Sequence, residues 1–203
     1  MKFIQLLVSL AFITLTSCHW HTTDDASNPA KNRIPVFKEE WSDLPSDVDF
    51  RNAVSVINVI ETETMLDSYY KLLQAAYLTD KLKGLQNVTV FAPTNEAIND
   101  LTEDRRLELM HPTRINDLKH LLNYHVVKNA YDYNALLLTI RQKKNSLKLE
   151  TLNNRFIAFS ADDDHIYLTD ESGNQSYISQ SDLKAENGVV HGITNLLQPQ
   201  NLQ

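Results

Sequence analysis

Residues 89–97 read TVFAPTNEA, and this stretch decides how the surrounding chain folds. The apolar run at its start predicts a short buried strand in which Phe91 fills core. Pro93 breaks the strand, and Ala92 stays extended because the residue before a proline avoids the helical region. Thr94, or the asparagine after it, can then accept a hydrogen bond from a free N–H at the start of a helix. The stretch therefore predicts a buried strand followed directly by a capped helix.

The pattern of apolar residues changes along the chain. Apolar residues recur at helical spacing within residues 66–77. Those within residues 115–122 form one more apolar helical face. From residue 147 onward, apolar and polar residues alternate in short runs. Residues 162–164 and 171–174 separate these runs and are typical of hairpin turns. Helices first and antiparallel strands afterwards predict an α+β fold.

Three segments resemble the sequence boxes of the fasciclin (FAS1) domain family. They are residues 89–97, residues 121–127, which read LLNYHVV, and residues 187–193, which read NGVVHGI. The resemblance covers about residues 53–199. It implies a wedge of two packed β-sheets with surrounding helices, assigned to residues 50–203. It also implies extracellular adhesion or ligand binding without enzymatic chemistry.

The resemblance gives roles to individual residues. Tyr124 and His125 match a family motif implicated in integrin binding on animal cells. Asp182 and Leu183 match an acidic–aliphatic pair that some members use in adhesion. The other box residues are expected to be structural: Thr89, Phe91, Ala92, Pro93, Thr94, Asn187, Gly188, Val190 and His191.

The residues themselves favour a second interpretation of these positions. His125 lies where a helix gives way to a strand, so its ring can donate to one carbonyl and accept from a neighbour. With Tyr124 it would then form a buried pair that connects helix to sheet. Asp182 and Leu183 fit an exposed turn equally well. The Asn-Gly pair at residues 187–188 predicts positive φ in a tight turn.

The three aspartates at residues 162–164 also have two interpretations. Their oxygens could bind Ca²⁺, which takes six to eight oxygen ligands. However, the segment lacks the spaced carboxylates and the glycine of a known calcium loop, which favours a solvated hairpin tip. We predict no metal site here.

The N-terminal residues predict an exported bacterial lipoprotein. Residues 1–17 have a positive start and an apolar run that is too short to span a bilayer, which fits a signal peptide. Cys18 is the only cysteine, so it has no internal disulfide partner. The residues LTSC that end there resemble a lipobox, in which the cysteine is acylated and anchors the protein. The next residue is His19, where enteric lipoproteins that are retained in the inner membrane have aspartate. This resemblance favours the outer membrane. Residues 18–49 are polar with spaced prolines and predict a tether.

Charge and missing motifs exclude other classes of function. The chain has 26 acidic and 19 basic residues, a formal net charge of −7. This balance is unfavourable for nucleic acid, which requires a basic face. The sequence contains no nucleophile elbow, HExxH motif or glycine-rich phosphate loop. We therefore predict that the protein is not an enzyme and uses no cofactor.

Two functions remain open on this basis. The first is a lipid-anchored module, displayed on the cell surface, that adheres to or recognises an extracellular protein or glycan. It predicts an exposed apolar or aromatic patch on the domain. The alternative is an accessory envelope lipoprotein that binds a partner protein of its own cell. The oligomeric state is open in both cases.

Overall fold

The computed structural model describes residues 54–200. The predicted signal peptide, Cys18, the tether at residues 18–49 and the first residues of the predicted domain lie outside this part of the chain. The helices are α1 (Val56–Thr62), α2 (Asp67–Ala75), α3 (Thr79–Gly84), α4 (Asn95–Asn99), α5 (Glu103–Leu109), α6 (Ile115–Tyr124) and α7 (Tyr133–Gln142). The strands are β1 (Val88–Pro93), β2 (Val126–Lys128), β3 (Leu147–Glu150), β4 (Phe156–Ala161), β5 (Ile166–Thr169), β6 (Gln175–Ala185) and β7 (Gly188–Ile193).

Side-chain caps start several of these helices. The Thr94 hydroxyl accepts a hydrogen bond from the Ala97 N–H at 3.3 Å, which confirms the predicted cap of α4. Ser55 caps α1 and Asp132 caps α7 in the same way. Such caps satisfy N–H groups that have no partner within the helix, and each contributes about 1 kcal/mol.

The seven strands form one mixed sheet in the order β2-β1-β7-β6-β5-β4-β3. Only the β1–β7 pair is parallel, and the other neighbours are antiparallel. The predicted α+β class is confirmed. Strand β6 begins after the predicted turn at residues 171–174, continues to Ala185 and pairs with β5 and then β7. The two packed sheets expected from the family are therefore two halves of this sheet that share β6.

The shape of the sheet follows from irregularities in β6. The pairing register between β6 and β7 shifts twice, between Ile178 and Leu183. Such bulges bend and twist a strand. The outermost strands also meet through a bridge between Val127 and Thr151. The sheet thus curls so that its two ends come together.

Strand β1 lies where two apolar clusters meet. All six of its residues are buried, which explains why Thr89 is the only polar residue in the strand. Val90 belongs to the cluster beneath α1, α2, α3 and α6, whereas Phe91 belongs to the cluster enclosed by α7 and β3–β6. Neighbouring residues of β1 therefore supply the two clusters from opposite faces.

Candidate ligand-binding site

Tyr124 is the last residue of α6, and its side chain is completely buried. Its hydroxyl donates to the Phe156 carbonyl oxygen at 2.8 Å and accepts from the Glu171 N–H at 3.2 Å. Burial raises the pKa of this phenol above its usual value. The hydroxyl thus connects α6 to β4 and to the turn after β5.

His125 is equally buried and connects α6 to the segment that follows β7. Its Nδ1–H donates to the Leu121 carbonyl oxygen at 2.9 Å, and its Nε2 accepts from the Leu197 N–H at 3.1 Å. The predicted pair of roles for this ring is confirmed. Tyr124 and His125 both have 0% exposed surface. A ligand could reach them only if the junction between helix and sheet opened, so the geometry favours the structural interpretation.

The buried His125 ring makes stability depend on pH. Desolvation lowers its pKa from 6.5 to about 4. On acidification the unfolded chain therefore takes up the proton first. The His125 ring therefore does not lower the free energy of unfolding above pH 6.5. As the pH falls from 6.5 towards 4, the free energy of unfolding decreases by about 3 kcal/mol in total. His191 acts in the same direction, because burial also lowers its pKa.

We expect urea unfolding at pH 7, 5.5 and 4.5 to show this loss. His125→Gln should be less stable at pH 7 and should show a smaller decrease over the same range. Equal stability of the wild type at all three pH values would contradict the prediction, since it would mean that the folded protein accommodates a protonated ring.

Asp182 and Leu183 lie inside β6, so the expected exposed turn is wrong. Asp182 occupies a bulge with φ of 61°, and pairing with β7 resumes at Leu183. The Asp182 carboxylate accepts from the Tyr133 N–H at 2.7 Å, and its own N–H donates to Nδ1 of His191 at 3.2 Å. Leu183 is half-buried against the helical cluster. Both residues thus have structural contacts in the described chain.

Thr89 and His191 hold the segment between β2 and α7, which we call the β2–α7 loop (residues 129–132). The Thr89 hydroxyl donates to the Asn129 carbonyl oxygen and accepts from the Tyr131 N–H, both at 2.8 Å. Nε2–H of His191 donates to the Tyr131 carbonyl oxygen, also at 2.8 Å. Asn87 adds a bond from the Ala130 N–H to its amide oxygen at 3.0 Å. Side chains from the first and last sequence boxes therefore fix one loop.

Asn187 and Gly188 do not have the predicted backbone geometry, since neither has positive φ. Instead, the buried Asn187 amide oxygen accepts from the Val56 N–H at 2.8 Å. Its NH₂ group donates to the carbonyl oxygens of Leu82 at 3.1 Å and Leu85 at 3.0 Å. Sequence reasoning missed these bonds, because Asn-Gly is also the commonest signal of a tight hairpin turn.

Gly188 is required by close approach rather than by conformation. It pairs with Val88 in the parallel β1–β7 ladder, and a Cβ added to it would lie 2.1 Å from the Val88 carbonyl oxygen. The next residues continue the same ladder, with Val190 opposite Val90. The closing box therefore places β7 directly against β1.

The remaining box residues form the interior of the sheet. Phe91 stacks on the His191 ring, with centroids 5.7 Å apart, and packs against Phe159 at 5.2 Å. Ala92 and Pro93 extend β1 opposite Gly192 and Ile193, so the strand includes the proline that was predicted to break it. These contacts agree with the structural roles expected for the boxes.

An apolar groove opens on the helical side of the domain. This helical groove, of about 290 Å³, lies between the end of α2 and the connection from α5 to α6, and its lining includes Tyr77, Leu109, Met110 and Ile115. Tyr77 is 82% exposed and Met110 is 51% exposed. Leu107, one turn before Met110, is 63% exposed. Exposed apolar side chains thus lie in this groove and on the helix that leads to it.

Tyr77 is also in an unusual backbone conformation. Its φ is 55°, directly after α2, where glycine is the favoured residue. A side chain in this region costs about 1 kcal/mol. Because the ring is almost fully exposed, this cost is not offset by burial in the core.

Residues 162–164 form the tip of the β4–β5 hairpin. The Asp162 carboxylate accepts from the N–H groups of Asp164 and His165 and from the Tyr167 hydroxyl, and these bonds lower its pKa. No group of three or more His, Cys, Asp or Glu side chains among residues 54–200 is placed to hold a metal ion.

Within residues 54–200, no helix has the length and apolarity needed to cross a membrane.

Comparison with known proteins places this geometry in a family. The family model of the fasciclin domain matches residues 64–199. The chain belongs to the fasciclin domain family. The fold agrees with a solved structure of a FAS1 domain pair from the insect cell adhesion molecule fasciclin I, with a TM-score of 0.63 and 19% identity over 71% of this chain and 51% of that one.

Proteins with sequences similar to this chain come from a plant, an insect and Synechocystis. Fasciclin-like arabinogalactan protein 17 of Arabidopsis thaliana is 30% identical over 68% of this chain, and Fasciclin-1 of Drosophila melanogaster is 28% identical over 65%. The chain spans only 31% and 20% of their lengths. A Synechocystis protein is 25% identical over 79% of this chain and 82% of its own length. This fasciclin domain is therefore similar in fold to a domain pair of an insect cell adhesion molecule, and similar in sequence to a Synechocystis protein of comparable size.

Proposed function

We propose that the protein is a lipid-anchored recognition module, displayed outside the cell, that adheres to an extracellular ligand. Cys18 carries the anchor, and residues 18–49 form the tether that gives the domain reach. The fasciclin fold and the adhesion molecule with the same fold support this proposal. The domain presents a surface for binding rather than groups for a reaction.

The helical groove is the observation that carries the proposal. Tyr77 and Met110 expose apolar surface beside a concave site, and exposed apolar patches mark interaction surfaces. Tyr77 combines an exposed ring with a positive φ, a backbone conformation that costs stability. Strain that is maintained without a gain in packing is typical of a functional position. The apolar lining favours a protein ligand, whose side chains could fill the groove.

Anchoring and display are tested by protease shaving of intact cells that express wild type or Cys18→Ala. We expect added protease to remove the wild-type domain, and the variant to be released or mislocalised because it lacks the acyl anchor. Protection of the wild-type domain in intact cells would refute external display. In that case the alternative, a partner protein within the cell's own envelope, would account for the same groove.

Recognition through the helical groove is tested with Tyr77→Gly in a cell adhesion assay. Glycine tolerates the backbone conformation, so we expect stability to stay unchanged or to rise by about 1 kcal/mol. Adhesion should nevertheless fall severalfold. Leu138→Ala is the matched control, since Leu138 is 58% exposed on α7 and does not line the groove. Equal adhesion of Tyr77→Gly and wild type would contradict a role for this surface.

A further inference from the structure

A second groove on the domain shares no lining residue with the helical groove. This polar groove, of about 400 Å³, is lined by three segments: Gln86 and Asn87 before β1, Ala130 and Asp132 of the β2–α7 loop, and residues 184–189 around the β6–β7 turn. Its volume lies within the range of small-molecule sites, about 300–1,000 Å³. None of the residues that the sequence analysis assigned to ligand binding lines it.

The walls of the polar groove are fixed by the residues around it. Asn87 and Asn129 have φ of 57° and 72°, conformations that cost a non-glycine residue of order 1–3 kcal/mol unless surrounding bonds maintain them. Thr89 binds both ends of residues 129–131, and the Asn187 side chain fixes the β6–β7 turn. The backbone around the groove is therefore preformed, so a ligand would have to order side chains but not the loops that carry them.

The groups that face the polar groove define the chemistry of its ligand. Among residues 54–200, the side chains of Gln86, Lys184 and Glu186 have no hydrogen-bond or ion-pair partner, and all three line the groove. They supply an amide, an ammonium and a carboxylate, and therefore both donors and acceptors. Asp132 adds a second carboxylate, so the charged side chains do not favour an anionic ligand.

We propose that the polar groove binds a neutral saccharide unit. Each sugar hydroxyl both donates and accepts, which matches a lining that offers donors and acceptors and whose one ammonium and two carboxylates leave only a small net charge. The lining contains no aromatic ring, so binding rests on hydrogen bonds alone and is expected to be weak, with Kd on the order of 1 mM. Many copies on one surface would convert such binding into firm attachment through avidity.

The test titrates the purified protein with cellobiose, maltose, mannobiose and chitobiose and follows the backbone amides by NMR. We expect at least one sugar to shift amides of residues 86–87, 130–132 and 184–189. Lys184→Ala and Glu186→Ala should each weaken binding about tenfold or more, because each removes a charge-assisted hydrogen bond. Lys148→Ala and Glu150→Ala, on β3, are matched controls that should bind normally and unfold at the same midpoint.

Three results would overturn the proposal. They are no shift of these amides with any of the four sugars, shifts that persist in both groove variants, or tighter binding of a glucuronate-containing disaccharide than of any neutral one. Failure here is separate from failure of the proposed function. Protease shaving and the Tyr77→Gly assay report on display and on the helical groove and do not involve the polar groove.

Discussion

Replacing Gly188 with alanine is expected to lower the free energy of unfolding by about 4 kcal/mol or more, or to prevent folding. The new Cβ would lie 2.1 Å from the Val88 carbonyl oxygen and 3.0 Å from its carbonyl carbon. Both are backbone atoms of β1, a strand that pairs with β2 on one side and β7 on the other. Neither strand can move away without breaking the ladder, so the cost should exceed the 1–3 kcal/mol typical of overpacking.

Gly84→Ala is the matched control for this substitution. Gly84 ends α3, and a Cβ added there would meet no atom within 4 Å. Its φ is not positive, so alanine should be neutral or stabilising by up to about 1 kcal/mol. Urea unfolding of both variants separates the effect of close approach from the general effect of losing a glycine. Similar stabilities of the two variants would contradict the importance of contact between β1 and β7.

Local features of the fold could be predicted from the sequence because their causes lie within a few residues. The apolar run before Pro93 specifies β1, and the Thr94 hydroxyl specifies the start of α4. The position of His125 between a helix and a strand was enough to predict that its ring both donates and accepts. The acceptor for its Nδ1–H is Leu121, four residues earlier, whereas the residue that donates to Nε2, Leu197, is 72 residues away and could not be named from the sequence.

Features that depend on distant segments could not be predicted in this way. Asp182 looks like a turn residue, yet it lies in a bulge because β6 continues along β7 and contacts Tyr133, 49 residues away. Gly188 must be glycine because of Val88, which is 100 residues earlier in the chain. The dipeptide Asn-Gly also occurs in hairpin turns, where its role is to adopt positive φ. Only the tertiary structure distinguishes that role from the close approach of Gly188 to Val88.

The two surface grooves also could not be predicted from the sequence, because each is formed by segments that are distant along the chain. The helical groove combines residues 75–77 with residues 109–118, and the polar groove combines three segments up to about 100 residues apart. No spacing in the sequence relates these residues. The exposure of Tyr77 was equally hidden, since this residue continues the helical apolar spacing of residues 66–77.

Asn187→Ala is expected to lower the free energy of unfolding by about 3–4 kcal/mol. The substitution leaves the Val56 N–H and the carbonyl oxygens of Leu82 and Leu85 without their partner. Each unsatisfied buried group costs about 1–3 kcal/mol, partly relieved where water can enter. Because these groups belong to α1 and to the region of α3, the loss should be concentrated there.

Asn187→Asp distinguishes the donor from the acceptor role of this side chain. A carboxylate still accepts from Val56, but it presents oxygen in place of NH₂ to the carbonyl oxygens of Leu82 and Leu85, so we expect it to be at least as destabilising at pH 7. Asn116→Ala, on the exposed face of α6, should change stability by less than about 0.5 kcal/mol.

Amide hydrogen exchange should then locate the effect. In Asn187→Ala, protection should fall first in α1 and α3, while the amides of β4 and β5 keep wild-type protection under native conditions. A stability loss below about 1 kcal/mol, or a uniform fall in protection, would show that the contacts of α1 and α3 with the sheet do not depend on this amide. The expected pattern would instead mean that the closing box connects the first helices to the sheet through the hydrogen bonds of the Asn187 side chain, and not through a special turn conformation.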